Sequence, residues 1–580
     1  MDKRRIMHHL LPYFKQYKKE AVLAPLFKML EACFDLAVPL LVADMINIGI
    51  AQRDSTYILV RFAVLLGMAL LGLGCSFVAQ YFAAKAAIGT ATGLRRQLFA
   101  KIQRFDFTTL DRIGTSTLIT RMTSDVNQVQ NGANLFLRLF LRSPFIVFGA
   151  MILAFTIDAQ IAWIFVAVIV LLFAVVFGIL LWTAPMYRNV QQNLDSVTGT
   201  TREGLNGVRV IRAFGREEVQ QKKFIGIDAA LLRAQLAVGR IAAWMNPLTY
   251  VLVNAGIVLI LWFGAGKVDG GVLLPGHVIS LINYLSQILV ELVKLANLVI
   301  QLSKSVSGMK RIGQIFDTDG SMVYGTETQG QEGAALLTFD GVSLLYADAG
   351  AESLTDLTFS VQKGETVGII GGTGSGKSSL VHLIPRFYDA TSGEIRFKGK
   401  PISSYSRQTL LSSVALVDQK PRLFSGTIRS NLLWGKPDAT EEDLWHALEM
   451  AQAADFVRAK PNGLDEEVSP GGANFSGGQK QRLTIARALL SDSDILILDD
   501  SSSALDYATD AALHQALRQL PDDRTVISVS QRTGSLMHAD RILVLEDGKL
   551  VGNGKHEELL KTCPVYREIY DSQFGTEVHA

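Results

Sequence analysis

The sequence predicts an all-α membrane domain of six long helices followed by an α/β P-loop nucleotide-binding domain. Two observations lead to this fold class. The 580 residues are 49% hydrophobic with a mean hydropathy of +0.26, too apolar for a water-soluble chain of this size, and the excess lies in the first half. The second half opens with Gly371-Gly372-Thr373-Gly374-Ser375-Gly376-Lys377-Ser378, set between an apolar strand, Thr366–Ile370, and a helix, Ser379–Arg386. Net charge is +2, without the basic bias of a nucleic-acid partner. Cys33, Cys75 and Cys563 show neither metal nor disulfide spacing.

A helix needs about 20 apolar residues to cross the hydrocarbon core. Six runs qualify: 21–48, 57–85, 136–157, 160–183, 244–268 and 276–302. They pair into three hairpins with short turns, joined by long connections over 86–135 and 184–243. The start, Met1-Asp2-Lys3-Arg4-Arg5, is basic and leads into Ile6–Tyr17, which has helical spacing. No small-residue cleavage site follows, so a helix lying on the inner membrane surface is expected rather than a signal peptide.

Charge sets the orientation. The first long connection carries Arg95, Arg96, Lys101, Arg104, Arg112 and Arg121; the second carries Arg188, Arg202, Arg209, Arg212 and Arg216. The short turns hold chiefly Arg53 and Lys267. Positive residues stay inside, so the long connections and both termini are predicted to be cytoplasmic. The connections read as helices that continue the spans beyond the membrane. They are expected to turn at Leu110-Asp111-Arg112-Ile113-Gly114 and Ala213-Phe214-Gly215-Arg216-Glu217. The expected domains are 1–317 for the membrane part, a polar linker over 318–336, and 337–580 for the nucleotide part, with Asp571–Ala580 as a loose tail.

Backbone N–H groups of a glycine-rich turn wrap phosphate oxygens, and the following helix start favours negative charge. Gly371, Thr373, Gly374, Ser375, Gly376, Lys377, Ser378 and Ser379 are therefore the candidate phosphate ligands. Lys377 is suited to the β- and γ-phosphates and Ser378 to Mg²⁺. Ile495-Leu496-Ile497-Leu498-Asp499 is a buried strand ending in a carboxylate, and Asp499 is a second candidate for the Mg²⁺ shell.

About a hundred residues after the P-loop stands Phe475-Ser476-Gly477-Gly478-Gln479, continued by Gln481-Arg482-Leu483-Thr484-Ile485-Ala486-Arg487. Together with the P-loop, this segment resembles the nucleotide-binding domain of ABC transporters, with Phe475 where Leu is usual. Six spans, two long cytoplasmic connections and one nucleotide domain resemble the half-transporter of ABC exporters over nearly the whole chain. The resemblance implies that Tyr346 stacks on adenine and that Gln419, in Val417-Asp418-Gln419, contacts the metal. It implies that Ser476, Gly477, Gly478 and Gln479 act in trans on ATP held by another subunit, and that Asp506, in Ser503-Ala504-Leu505-Asp506, lies across the seam. It also implies that Gly207–Glu217 is a coupling loop, and that the chain pairs, with ATP and Mg²⁺ as cofactors.

Three departures from the family pattern stand out. The residue after Asp499 is usually a Glu that polarises the attacking water; here it is Asp500, one methylene shorter. The usual switch His is Gln531, which hydrogen-bonds but cannot become a cation. Misplacement of about 1 Å at such a site costs about a hundredfold, so this chain's own catalytic positions, Asp500 and Gln531, are expected to hydrolyse ATP slowly. The third departure is Val468-Ser469-Pro470-Gly471-Gly472, where a Glu-containing segment is usual. A degenerate P-loop site beside a near-intact signature resembles one subunit of heterodimeric bacterial multidrug exporters. The expected partner is a second half-transporter with the competent Glu and His.

Charged residues inside spans are costly and often mark a pathway. Glu31 and Asp35 share one face of the first span, and Glu291 and Lys294, three apart on the sixth, can pair with each other. Two acids facing a cavity would favour cationic amphiphiles. The expected function is ATP-driven export of small, amphipathic or hydrophobic compounds across a bacterial plasma membrane. The alternatives are a homodimeric lipid or peptide exporter and a non-transporting ATP-binding regulatory subunit. No peptidase domain with a Cys/His pair precedes the spans, which disfavours peptide processing.

Overall fold

The computed structural model describes residues 12–347, 349–501, 503–521 and 523–574. It separates into two compact units. One takes the chain up to Gln103 together with Ser116–Thr318; the other takes Arg104–Thr115 and the chain from Asp319 onward. The expected surface helix over 6–17 lies partly outside the described residues.

Among the described residues, six helices are long and apolar enough to cross a membrane: Lys18–Ile50, Ser55–Ile102, Thr115–Ile157, Ala159–Asn206, Glu217–Asp269 and Pro275–Phe316. They are 33 to 53 residues long. At ~1.5 Å per residue they measure about 50–80 Å, well beyond the ~30 Å hydrocarbon core. A stripe of Ala79, Ala83, Ala86, Ala87 and Ala91 is buried on the second span, where small side chains let neighbouring backbones approach. Leu59, Phe62, Leu66 and Leu70 point outward from the same helix. The chain turns where glycine takes positive φ: Gly114 (+80°) ends the short helix Phe107–Ile113, and Gly215 (+58°) follows Val208–Ala213.

The first span contains Pro39, which has no N–H for the carbonyl of Asp35 four residues earlier. The sixth span meets that defect. Gln287 Nε2 donates to the Asp35 carbonyl at 3.3 Å, Tyr284 donates to the Leu36 carbonyl at 2.7 Å, and Ser280 donates to the Pro39 carbonyl at 2.5 Å. Neighbouring helices satisfy backbone freed by proline in this way inside membranes.

The second unit is built on a six-stranded sheet. With strands numbered in chain order, β1 is Leu337–Leu344, β2 Leu354–Val361, β3 Thr366–Gly371, β4 Ser392–Phe397, β5 Lys400–Pro401, β6 Val414–Val417, β7 Gly426–Thr427, β8 Glu467–Val468, β9 Ile495–Asp499, β10 Thr525–Val529, β11 Arg541–Glu546 and β12 Lys549–Gly554. The large sheet runs β12-β11-β3-β10-β9-β6, parallel except for β12. An antiparallel sheet, β2-β1-β4-β5, completes the sheet core, with Phe339 stacked on Phe359. In register, Val529 faces both Ile369 and Asp499. The ends of β3, β9 and β10 therefore share one edge, where ligands bind in open parallel sheets.

The polar segment over 318–336 pairs with the sheet unit: Gly325 N donates to the Ser403 carbonyl, Gln331 N to the Lys398 carbonyl, and Glu327 bridges Tyr405. One expectation is corrected here. The expected tail begins inside a helix, Pro564–Phe574, whose Tyr566 is fully buried.

Candidate functional site

The P-loop leaves β3 and enters the helix Lys377–Leu383. Its path needs glycine: Gly374 has φ +86° and Gly376 φ +93°, and a Cβ on Gly376 would stand 2.7 Å from the Ser353 carbonyl oxygen. The loop opens onto a cleft of about 520 Å³ that is also lined by Ser378, Gln419, Asp499, Asp500 and Gln531. Lys377 is nearly buried and its ammonium donates to the carbonyls of Gly371 (2.9 Å) and Gly372 (2.6 Å). Burial pushes its pKa down, opposed by the charges of Asp500 and Asp499. A phosphate in the cleft would offer that ammonium a far better acceptor.

Asp499 ends a strand in which every residue is buried. Burial raises its carboxyl pKa, and a hydrogen bond with Ser378 opposes the rise. Its Oδ1 is buried without a hydrogen-bond partner. An orphaned carboxylate oxygen beside a serine hydroxyl is the donor set a hard divalent cation takes, so Ser378 and Asp499 fit Mg²⁺.

Asp500 leaves the strand in a left-handed conformation, φ +46°, and its N–H donates to the Val529 carbonyl at 3.0 Å. Its Oδ2 accepts from Gln419 Nε2 at 3.1 Å and from Gln531 Nε2 at 3.4 Å. The structure thus brings Asp499, Asp500, Gln419, Gln531 and the P-loop together.

Tyr346 stands apart from that cleft. Its hydroxyl donates to Ser379 Oγ at 3.1 Å, tying it to the first turn of the P-loop helix. Its ring meets Tyr388 edge-on at 5.0 Å, and it lines a neighbouring hollow with Thr108, Asp111, Ser321 and Tyr388. The helix Phe107–Ile113 borders the same hollow. Phe107 stacks on Phe387 at 4.3 Å and Tyr388 donates to Asp111 at 2.6 Å. Asp106 caps this helix through Thr109 N (2.6 Å) and accepts from Ser321 N (2.5 Å) and Met322 N (3.2 Å).

The signature lies outside the cleft. Ser476 and Gln479 form a capping box at the start of the helix Gly477–Leu489, with Ser476 and Gly477 exposed. Phe475 is buried in the core around Leu423 and Leu483. Asp506 caps the helix Tyr507–Leu517 through Thr509 N at 2.9 Å.

Sequence reasoning missed Gln573. Its Nε2 donates to the Gln531 carbonyl at 2.7 Å and its Oε1 accepts from Thr533 N at 2.9 Å, so the last helix holds the segment that carries Gln531. Glu352 and Asp547, which also line the cleft, were missed as well.

In the membrane unit the sequence missed Arg142. Its guanidinium bonds Asp35 at 2.8 Å and Glu291 at 2.7 Å and stands 4.0 Å from Glu31. Glu291 also pairs with Lys294 at 2.8 Å, and Glu31 with Lys28 at 2.5 Å. Each acid therefore has a basic partner, and the two acids of the first span do not make a bare anionic surface.

Two family descriptions match the chain: the ABC transporter transmembrane region over residues 22–292 and ABC transporter over residues 354–503. The chain is 34% identical to the ABC transporter ATP-binding protein YfiB of Bacillus subtilis, over 98% of this chain and 99% of that protein. It is 28% identical to the ATP-dependent lipid A-core flippase of Chromobacterium violaceum, over 98% of this chain and 97% of that one. Among solved structures, a bacterial Atm1-family ABC exporter with ATP bound superposes with a TM-score of 0.80 at 22% identity, covering 96% of this chain and 98% of the other.

Proposed function

The chain belongs to the ABC transporter family, with a helical membrane domain fused to one nucleotide-binding domain, and from that premise we propose that it is the half of a heterodimeric exporter whose own ATP site is hydrolytically weak. One observation carries this reading. The carboxylate at the position of the catalytic base is the short one, Asp500, and its Oδ2 is shared by the amides of Gln419 and Gln531. An oxygen that accepts two hydrogen bonds is a poorer proton acceptor, and neither amide supplies a cation.

ATP would be held by the P-loop from Gly371 to Ser379, with Tyr346 at the base end, and Mg²⁺ would be held by Ser378 and Asp499 with Gln419 nearby, where it would supply neutralisation of the phosphate charge. Lys377 adds a further positive charge, while Asp500 and Gln531 orient water without strongly activating it. The exposed Ser476 and Gly477, the helix start behind them and Asp506 are free to serve ATP on the partner, whose Glu and His carry out hydrolysis. Exposed apolar Val210 (61%) and Phe214 (75%) on the second connection suit a docking role against that partner.

The substrate class is small amphipathic or hydrophobic compounds moved out across a bacterial plasma membrane, with both termini cytoplasmic. The similarity to lipid A-core flippases agrees with an amphipathic substrate. The test is ATP hydrolysis by the purified chain alone and co-expressed with a half-transporter encoded beside it. Hydrolysis only by the pair, abolished by mutating the partner's Glu, supports the reading. Rapid hydrolysis by this chain as a homodimer overturns it.

A further inference from the structure

We propose that the cavity between the first, third and sixth spans binds the headgroup of a zwitterionic amphiphile, its cation on Asp35 and its anion on Arg142 and Lys294. The inference rests on the exporter reading and names the substrate class.

The charges form one continuous row: Asp35 to Arg142 (2.8 Å), Arg142 to Glu291 (2.7 Å), Glu291 to Lys294 (2.8 Å). Two acids and two bases make the row neutral. Its inner members are closed in, with the Arg142 side chain 11% exposed and that of Glu291 4%, and Ser143 donates to the second oxygen of Glu291 at 2.7 Å. Its outer members are open, Asp35 at 44% and Lys294 at 42%. The cavity, about 440 Å³, thus presents Asp35 and Lys294 as its open charges, with the more enclosed Arg142 and Glu291 between them.

Depth and shape suit a lipid-like molecule. Asp35 lies fifteen residues before Ile50, Arg142 fifteen before Ile157 and Glu291 sixteen after Pro275. At ~1.5 Å per residue all three stand about 22–24 Å below the outer helix ends, in the inner half of the bilayer. Toward the outer side the wall is amphipathic, with apolar Val38, Val42 and Ile146 on the first and third spans and polar Asn283, Ser286 and Gln287 on the sixth. Gln287 Oε1 is a further buried acceptor without a partner. Asp35 also lines a second hollow between the first and second spans, together with Phe34 and Met68.

A headgroup of single charge fits this row poorly. An anion drawn to Arg142 and Lys294 competes with Asp35 and Glu291 and strands a carboxylate at membrane depth. A cation drawn to Asp35 leaves Arg142 on Glu291, which already carries Lys294, so the row gains an excess positive charge. Leaving one member of a buried pair uncompensated is strongly unfavourable. A zwitterion replaces the Asp35–Arg142 contact with two contacts of the same sign pattern, so no charge is left alone, and ligands of the wrong charge are rejected by the same groups.

The experiment uses the full chain co-purified with its partner half in a neutral maltoside detergent. Three twelve-carbon amphiphiles differ only in headgroup: dodecylphosphocholine, dodecyltrimethylammonium and dodecyl phosphate. Binding below their micelle concentrations is measured by equilibrium dialysis, with nucleotide binding on the same samples as the check of folding. The zwitterion is expected to bind about tenfold or more tightly than either ion, a difference of about 1.4 kcal/mol. Asp35→Asn and, separately, the more exposed Lys294→Gln are expected to remove that preference while nucleotide binding persists. Equal or tighter binding of dodecyl phosphate or dodecyltrimethylammonium overturns the proposal, as does a preference that survives both substitutions in folded protein. Partner-dependent hydrolysis is read separately, so loss of the headgroup preference alone removes the substrate class and leaves the heterodimer reading standing.

Discussion

The side-chain amide of Gln531 lies 3.4 Å from Oδ2 of Asp500, the same oxygen that accepts from Gln419 at 3.1 Å. The register of the sheet enforces this meeting. Asp499 faces Val529, so the residues that follow each strand leave the same edge, and Asp500 N closes onto the Val529 carbonyl. The left-handed turn at Asp500 then aims its short side chain at both amides. Two substitutions that look independent in the sequence are thus one local cluster.

Restoring the pair as Asp500→Glu with Gln531→His is expected to raise hydrolysis at this chain's own site by about ten- to a hundredfold, the scale on which ~1 Å of positioning acts. Neither single substitution should suffice, because each acts on the same oxygen and water; neighbours in one network are not additive. The measurement is turnover by the co-purified pair with the partner's Glu replaced by Gln, so that only this site contributes. A double variant no faster than the parent would show that Asp500 and Gln531 do not limit hydrolysis at this site.

The proposed in-trans role of the signature predicts an asymmetry. A Cβ at Gly477 would meet nothing within 4 Å, so Gly477→Asp should leave this chain folded while placing a carboxylate where a partner-held phosphate would approach. Turnover by the pair is expected to fall about a hundredfold or more, as for loss of a transition-state donor. Lys377→Ala, which damages this chain's own phosphate site, should reduce turnover far less. Equal losses from the two variants would mean that both sites hydrolyse.

The spans and the P-loop were legible because each is written locally. Apolar runs of membrane length and glycines at fixed offsets need no knowledge of neighbours. What was not legible was long-range. Arg142 lies inside the apolar run 136–157 with no acid near it in sequence, yet it binds residues 107 and 149 positions away. Asp106 reads as a helix cap, which it is, but its other oxygen holds the backbone of Ser321 and Met322. The linker pairs through backbone groups, which leave no side-chain pattern. Gln573 lay in a stretch whose composition resembled a tail.

Gln573→Ala should loosen the segment that carries Gln531. Thr533 is fully buried and would lose an acceptor for both its N–H and its hydroxyl, and the Gln531 carbonyl would lose a donor. Because Gln573 itself is exposed, water replaces part of the loss, and about 1 kcal/mol is expected. That corresponds to about a fivefold rise in opening of the segment, read as faster amide hydrogen exchange over residues 530–536 with exchange in β9 unchanged. Unchanged exchange over 530–536 would show that the last helix does not hold this loop.

As the proposed metal ligand, Asp499 would link Mg²⁺ binding to pH. Burial raises its carboxyl pKa, so the folded chain binds this proton more tightly than the unfolded chain, whose Asp titrates near the ordinary value of about 3.9. Without metal, raising the pH from that ordinary value through the raised one costs stability, because the carboxylate must ionise in a buried site where the Ser378 hydrogen bond only partly offsets desolvation. Mg²⁺ binds the ionised form, so its stabilising effect should be small in acid and grow as the pH rises through the raised pKa. The measurement is the difference in Tm between ATP with Mg²⁺ and ATP with a chelator, followed from about pH 5 to 8 in parent and Asp499→Asn, so that titration of the ATP phosphates, near about pH 6, is common to both. Asp499→Asn should abolish most of that difference and flatten its pH dependence. A Tm difference that is the same at every pH, or one that Asp499→Asn leaves intact, would place the metal on other ligands.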